Sequence, residues 1–257
     1  MSVEIETAAA NAAPMICIYG PPGVGKTTLS AAFPNALHFL FEDGLPAGVQ
    51  VQAVRHLSTL DGLLDALRWL FASEHAFTTV VIDTIDALEP IILESVCREN
   101  GWANIEQPSY GKGYTLADTA WRKALAALDH LRRRKGMTIV LLGHSMVEKV
   151  EDPRVPIYSA YALRLHRRAR ALVMDACDVV GFLSTDIRAI TEDKGFGQDR
   201  IRADAGGMRW LFVEGRPAFM AKNRYRMPAK LAVGADFDIK TLLAFFPKLQ
   251  TTQEKKV

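Results

Sequence analysis

Met15-Ile16-Cys17-Ile18-Tyr19-Gly20-Pro21-Pro22-Gly23-Val24-Gly25-Lys26-Thr27-Thr28 is the stretch on which the fold turns. The run from Met15 to Tyr19 is strand-length and shows no polar alternation, which predicts a strand buried on both faces. The turn that follows, from Gly20 to Thr27, satisfies G-x-x-x-x-G-K-[ST], and a short helix is expected to begin near Lys26. Strand, glycine loop and helix N-terminus in that order make a cradle of backbone N–H groups suited to phosphate. Gly20, Pro21, Pro22, Gly23, Val24 and Gly25 form the loop, while Lys26 is placed to reach the β- and γ-phosphates. The Thr27 hydroxyl can ligate Mg²⁺ and Thr28 can meet the α-phosphate, so the expected cofactors are ATP and Mg²⁺.

Outward from this motif, strand-length and helical spacings alternate. Leu37–Phe41, Val51–Val54, Thr79–Ile82 and Met137–Leu142 read as strands. Leu60, Leu63, Leu64, Leu67 and Phe71 recur at helical intervals behind Ser58 and Thr59, which can cap. A helix is expected after Asp83, ending near Asn100–Gly101, and a longer one from about Thr115 to Lys135 with Trp121, Leu125, Leu128 and Leu131 on one face. Buried strands separated by helices imply an α/β fold, a mostly parallel central sheet flanked by helices. After Asp178 the pattern becomes β-rich: Val179–Leu183, Ile187–Thr191, Trp210–Val213 and Ala218–Lys222 read as short, partly antiparallel strands. The expected organisation is an N-terminal segment over 1–13, one ATPase domain over 14–245 with the β-rich extension from about 178, and a flexible tail over 246–257.

Bulk properties exclude several classes. The chain has 257 residues, 49% apolar and 23% charged, an ordinary globular balance. No apolar run approaches the roughly 18 residues of a membrane span, and the start lacks signal-peptide character, so a cytoplasmic protein without membrane contact is expected. Cys17, Cys97 and Cys177 are far apart and unpaired with histidines, which supports neither a disulfide framework nor a zinc site. A net charge of only +2 means that nucleic-acid binding would need a local basic patch.

Three further positions belong to the nucleotide chemistry. Val80-Val81-Ile82-Asp83 is a hydrophobic strand delivering one carboxylate to its C-terminal end, where Asp83 can hold Mg²⁺-bound water. Asp86 reads as a helix cap. Glu42 ends another strand and is the candidate for orienting the attacking water, with Asp43 as rival. His144 follows the strand ending at Leu142 and can sense the γ-phosphate, or be a satisfied structural histidine.

Taken together, the loop with Lys26-Thr27-Thr28, Glu42, Val80-Val81-Ile82-Asp83-Thr84 and the late Ala221-Lys222-Asn223-Arg224 resemble the RecA-type recombinase core over about Pro14 to Leu231. More narrowly they resemble small phage ATP-binding proteins of that core that act as single-strand annealing proteins. The resemblance implies a RecA-like P-loop NTPase fold and Mg-dependent ATPase activity stimulated by DNA. It also implies a homo-oligomeric ring or helical filament with ATP at subunit interfaces. Lys222 and Arg224 match the basic pair that crosses to the neighbour's γ-phosphate. His144 stands where RecA has glutamine, which fits the phage branch and argues against full strand exchange. Single-stranded DNA is the implied partner, with a single-strand-binding protein as a further one; if phage-encoded, the protein works in the host cytoplasm.

Two stretches suit DNA. Gly101 to Tyr114 carries Trp102, Tyr110, Lys112 and Tyr114, aromatic faces for bases and a cation for phosphate, on a long irregular connection. Arg164, His166, Arg167, Arg168 and Arg170 form a local basic patch, with Arg164, Arg167 and Arg168, and Arg170 at its edge, expected around one broad helical face. The alternative there is a solvated helix face paired with acids, and Arg132–Lys135 reads as a basic last turn that complements the helix dipole. Two other functions compete. Gly-Pro-Pro-Gly-Val-Gly-Lys-Thr also suggests an AAA+ loader or remodeller, although those carry a helical lid where this chain turns β-rich. A small-molecule nucleotide kinase would use Arg164–Arg170 as a lid.

Overall fold

The structure is a computed structural model that describes residues 12–193 and 199–247, with side-chain surroundings described outside 187–206. The N-terminal segment and the polar tail expected from the sequence lie, except for residues 12, 13, 246 and 247, outside the described residues.

Five strands build the parallel core: β1 (Met15–Gly20), β2 (Ala36–Leu40), β3 (Gln52–Val54), β4 (Thr79–Asp83) and the first part of β5 (Thr138–Val150). They pair in the order β3-β2-β4-β5-β1, with Met15 opposite Ile139, Thr79 opposite Thr138 and Ala36 opposite Thr79. On the far side of β1 the strand β7 (Val179–Asp193) adds in parallel. The sheet then turns antiparallel through β8 (Asp199–Phe212) and β10 (Lys230–Ala232), with β9 (Lys222–Asn223) also on β7. One strand, β5, therefore separates the glycine-loop strand β1 from the Asp83 strand β4.

Alternate residues of β1 serve opposite layers. Met15, Cys17 and Tyr19 join a cluster that includes α2 (Leu60–Ala72), α3 (Ile85–Asn100), α4 (Lys112–Arg134) and α5 (Arg167–Ala176). Ile16 and Ile18 join the opposite cluster, with α1 (Lys26–Ala31) and α6 (Lys240–Leu243). This two-sided burial is why the strand sequence is uniformly apolar. Leu63, Leu67 and Leu70 of α2 are buried, each contributing about 1.5–3 kcal/mol. Thr59 caps α2 by accepting from the Gly62 N–H, Thr84 caps α3 by accepting from the Ala87 N–H, and Gly101 closes α3 in the left-handed region.

Several boundaries differ from the sequence reading. β5 continues past Leu142 to Val150, where Ser145–Val150 pairs antiparallel with β6 (Tyr158–Leu163), an unforeseen hairpin. β7 is one continuous strand, not two. The expected strand at Ala218–Lys222 is reduced to β9 and isolated bridges of Phe219 with Tyr161 and Arg216. Arg132 does not merely complement a helix dipole: it is buried and pairs with Asp178 and Asp129.

Candidate active site

The sheet's topology brings three carboxylates, Glu42, Asp83 and Asp86, and His144 together at one edge. β1 ends at Gly20, where an added Cβ would lie 2.1 Å from the Leu183 carbonyl oxygen, so a side chain here would push β7 away. Gly25 holds φ 95°, a left-handed conformation that lets the loop turn directly into α1. Lys26, buried, donates to the carbonyls of Gly20 at 3.0 Å and Pro21 at 3.1 Å, which folds its ammonium back over the loop. Burial pushes its pKa down, while Asp86, Asp83 and Glu42 nearby favour the charge.

Asp83 ends β4 buried, and the Thr27 hydroxyl donates to it at 2.8 Å. Burial raises its pKa; the Thr27 hydrogen bond and the Lys26 charge oppose that rise. Two hard oxygen ligands beside a lysine suit Mg²⁺, which takes one or two protein oxygens and keeps waters and phosphate oxygens for the rest. When bound, the ion would neutralise charge on the β- and γ-phosphates.

Glu42 follows β2 and accepts from the Thr84 hydroxyl at 3.1 Å. His144 Nδ1 is 3.9 Å from the same carboxylate. Asp86, expected to cap α3, does not do so, because Thr84 takes that role. Its carboxylate instead accepts from the His144 backbone N–H at 2.8 Å, lies 3.0 Å from His144 Nδ1, and accepts from Arg164 Nε at 3.0 Å. Burial would raise the Asp86 pKa, but these hydrogen bonds hold it well below the usual carboxylate range. Arg164 Nη2 also lies 3.2 Å from His144 Nδ1, so the imidazole sits between Asp86, Arg164 and the cavity that it lines. Glu42, Asp86 and His144 also cluster closely enough to suggest a metal trio. The Arg164 guanidinium already supplies the positive charge there.

These groups surround a cavity of about 360 Å³ lined by Gly23, Lys26, Thr28, Glu42, Asp83 and His144, with Arg209 also in its wall. That volume suits a small ligand. A family model described as an AAA domain matches residues 12–225, a span that holds every one of these groups. The chain belongs to the AAA domain family. A search of curated proteins finds no match. Membership makes this a P-loop ATPase domain of the AAA type. No helix among the described residues is long and apolar enough to cross a membrane.

The remaining sequence candidates are dispersed around this AAA domain. Lys222 donates to the carbonyls of Met174 and Asp175, and Arg224 to Asp178 at 3.2 Å. The Asp178 N–H bonds to the Met15 carbonyl, so both cations sit at the end of β1 opposite Gly20. Arg164 is not on a shared helical face with Arg167 and Arg168: it precedes α5 and is committed to Asp86. Arg168 pairs with Asp118, whereas Arg167 is exposed and has no carboxylate partner among the described residues. Tyr110 is fully exposed at φ 58°, beside exposed Lys112. Tyr114 stacks on His166 with centroids 4.1 Å apart, so one of its faces is taken, and Trp102 is half-buried. Sequence reasoning missed the role of Asp86 and missed Arg209 altogether.

Proposed function

We propose that this AAA domain hydrolyses ATP and uses the cycle to bind single-stranded DNA and promote its annealing, as a homo-oligomer of the kind its RecA-type resemblance implies. The observation that carries the reading is the continuous linkage from pocket to hairpin. Glu42 meets Thr84, and Asp86 joins His144 at the base of β5's extension to Arg164 at the end of β6. A γ-phosphate contact by His144 would thus be felt directly by the β5–β6 hairpin, which exposes Met146, Val147, Val155 and Ile157. Beside the hairpin lies a mainly apolar cleft of about 500 Å³, between Tyr158, Tyr161, Met174 and Phe219, with Arg167 and Arg216 around it and Arg170 paired with Glu148 in its wall. Apolar walls for bases and arginines for phosphates are what single strands require. In this reading Glu42 orients the attacking water, Lys26 and the ion at Thr27 and Asp83 stabilise the transferring phosphate, and Lys222 and Arg224 complete a neighbour's pocket. They sit at the end of β1 opposite their own glycine loop, so in this reading they act across a subunit boundary, with Arg224 leaving Asp178 to do so.

The family match gives weight to a second reading, a loader or remodelling ATPase. Against it, the segment after β7 turns into antiparallel strands, and α6, with four residues, is the only helix described beyond it. The deciding experiment follows a labelled oligonucleotide by anisotropy, and oligomer size by sedimentation, with Mg·ATP, Mg·ADP and neither. Tight binding, assembly and annealing of complementary strands with Mg·ATP, with affinity falling steeply as salt rises, are expected. A monomer with equal DNA affinity in all three states would sink the proposal, and action on a protein partner without annealing would favour the loader.

A further inference from the structure

Arg209 reaches the nucleotide pocket from the side that none of the motif residues occupies. Glu42, Asp83, Thr84 and His144 come from β2, β4 and β5 or their ends, on one flank of β1. Arg209 comes from β8, two strands beyond β1 on the other flank, and with Lys26 it is one of two cations lining the cavity. Its Nε donates to the Val233 carbonyl at 3.1 Å, and its two terminal nitrogens lie 3.4 Å from the carbonyls of Gly234 and Val24. The guanidinium lies directly over the turn into α1: a Cβ added to Gly25 would be 2.1 Å from Nη1. Gly25 therefore serves twice, by its backbone conformation and by leaving room for this cation.

The direction of the phosphate chain follows from the two flanks. Thr27 and Asp83 mark the ion and the β/γ end, next to Glu42 and His144. The α-phosphate and ribose must leave at the opposite end, under Arg209. We infer that Arg209 is a cis-acting phosphate-binding residue for the α/β end of the nucleotide, and that nucleotide binding there bridges the glycine loop to the C-terminal β8–β10 ribbon. A guanidinium has N–H donors to spare beyond these carbonyl contacts, and its planar fork suits phosphate oxygens. Unlike a γ-phosphate sensor, such a residue holds di- and triphosphate equally.

The inference rests on the nucleotide-binding reading of the cavity, and the test separates the two. Calorimetric titration with Mg·ADP and with a non-hydrolysable Mg·ATP analogue is carried out on the unaltered chain, Arg209→Gln, Arg209→Lys and Lys26→Ala. Glutamine keeps an amide donor for the carbonyls but removes the charge. Arg209→Gln is expected to weaken both nucleotides by a similar factor, roughly ten- to a hundredfold for a charge-assisted contact, with Arg209→Lys recovering part of the loss. A purely structural clamp would instead lower the melting temperature of the nucleotide-free protein and leave both affinities within twofold, which overturns the inference. Loss confined to the ATP analogue also overturns it, because the contact would then be to the γ-phosphate. Should Arg209→Gln fail to fold, the same comparison on Arg209→Lys decides. No binding by the unaltered chain overturns the nucleotide reading and this one together; binding by the unaltered chain, lost in Lys26→Ala and unchanged in both Arg209 variants, overturns this one alone.

Discussion

Two buried aspartates, each held by cations, stand at opposite ends of the same sheet. Asp178 lies at the start of β7 and accepts from the Met15 N–H at 3.1 Å, from Arg132, from Arg224 at 3.2 Å and from the Tyr225 hydroxyl at 3.3 Å. Asp86 lies near the start of α3 and accepts from His144 and Arg164. The Asp178 group is closed at its centre: its partners tie together β1, α4 and the segment after β9, and Arg132 is itself buried, while Arg224, 57% exposed, lies at its edge and lines a separate cleft with Arg132. The Asp86 group opens on the candidate nucleotide site, since His144 lines that cavity beside Glu42 and Lys26. An ionic cluster centred on a buried pair holds a fold together, whereas one whose members line a ligand site can respond to what enters it.

The largest test of that contrast is at the closed end. Asp178→Ala leaves Arg132 buried without its main partner, and removing one member of a buried pair costs about 3–5 kcal/mol. Chemical denaturation should show a loss of this size, and a change below about 1 kcal/mol would show that the network is not the anchor described. Asp86→Asn should cost less, about 1–3 kcal/mol, because Arg164 can turn to solvent. Its effect on ATP turnover should be the larger one, since the charge that holds Arg164 and His144 beside the cavity is lost. Equal stability losses at the two positions, with turnover intact in Asp86→Asn, would erase the distinction.

Acid sharpens the same comparison. The folded-state pKa of Asp86 is depressed, so its contribution is fully present above the unfolded carboxylate value of about 3.9 and is lost as pH falls below it toward the folded value. The stability gap between the unaltered protein and Asp86→Asn should therefore hold at neutral pH and shrink below about pH 4. His38 acts in a different window. Buried and bonded to Ser30 at 3.1 Å, it is pushed down to about 4, so the unfolded chain binds its proton first as pH falls from about 6.5. Stability should fall through that window by up to about 1.4 kcal/mol per pH unit, and His38→Gln should flatten the slope. A denaturation series from pH 7 to 4 that keeps the same slope in the variant would remove His38 from the acid response.

What could be read from the chain beforehand follows the same division between closed and open. The parallel core was legible because β1, β4 and the start of β5 are buried on both faces, and a run such as Val80-Val81-Ile82 admits few alternatives at that length. The glycine loop, Lys26 and Asp83 were legible because their spacing is local. The hairpin was not: Gly143–Val150 mixes exposed apolar and charged residues, since it leaves the core and faces solvent on both sides. Asp86 was misread for a different reason. Position favoured a cap, but its partners His144 and Arg164 lie 58 and 78 residues away, and no local pattern announces them. Arg164 was likewise assigned to a helical face by spacing, when a carboxylate across the fold had already claimed it. Arg209 carries no motif; only the position of β8 relative to the glycine loop gives it meaning.

The smallest expected effect lies at the hydroxyl that joins helix cap to pocket. Thr84 uses one oxygen twice, accepting from the Ala87 N–H at 3.3 Å and donating to Glu42 at 3.1 Å. Loss of an N-cap costs about 1 kcal/mol, so Thr84→Ala should lower stability by about that much, while Thr84→Ser should restore most of it. The effect on turnover should exceed what that stability change implies, because Glu42 loses the donor that fixes its carboxylate, although the defect should stay smaller than in Glu42→Gln, which removes the group itself. Nucleotide affinity should fall much less than turnover, since Thr84 lines the cavity but the phosphate-binding groups are those of the glycine loop. Stability by denaturation, affinity by titration and steady-state turnover separate these contributions. If Thr84→Ala loses stability and keeps full turnover, Thr84 belongs with Asp178 among the groups that only hold the fold, and Glu42 must be positioned by something else.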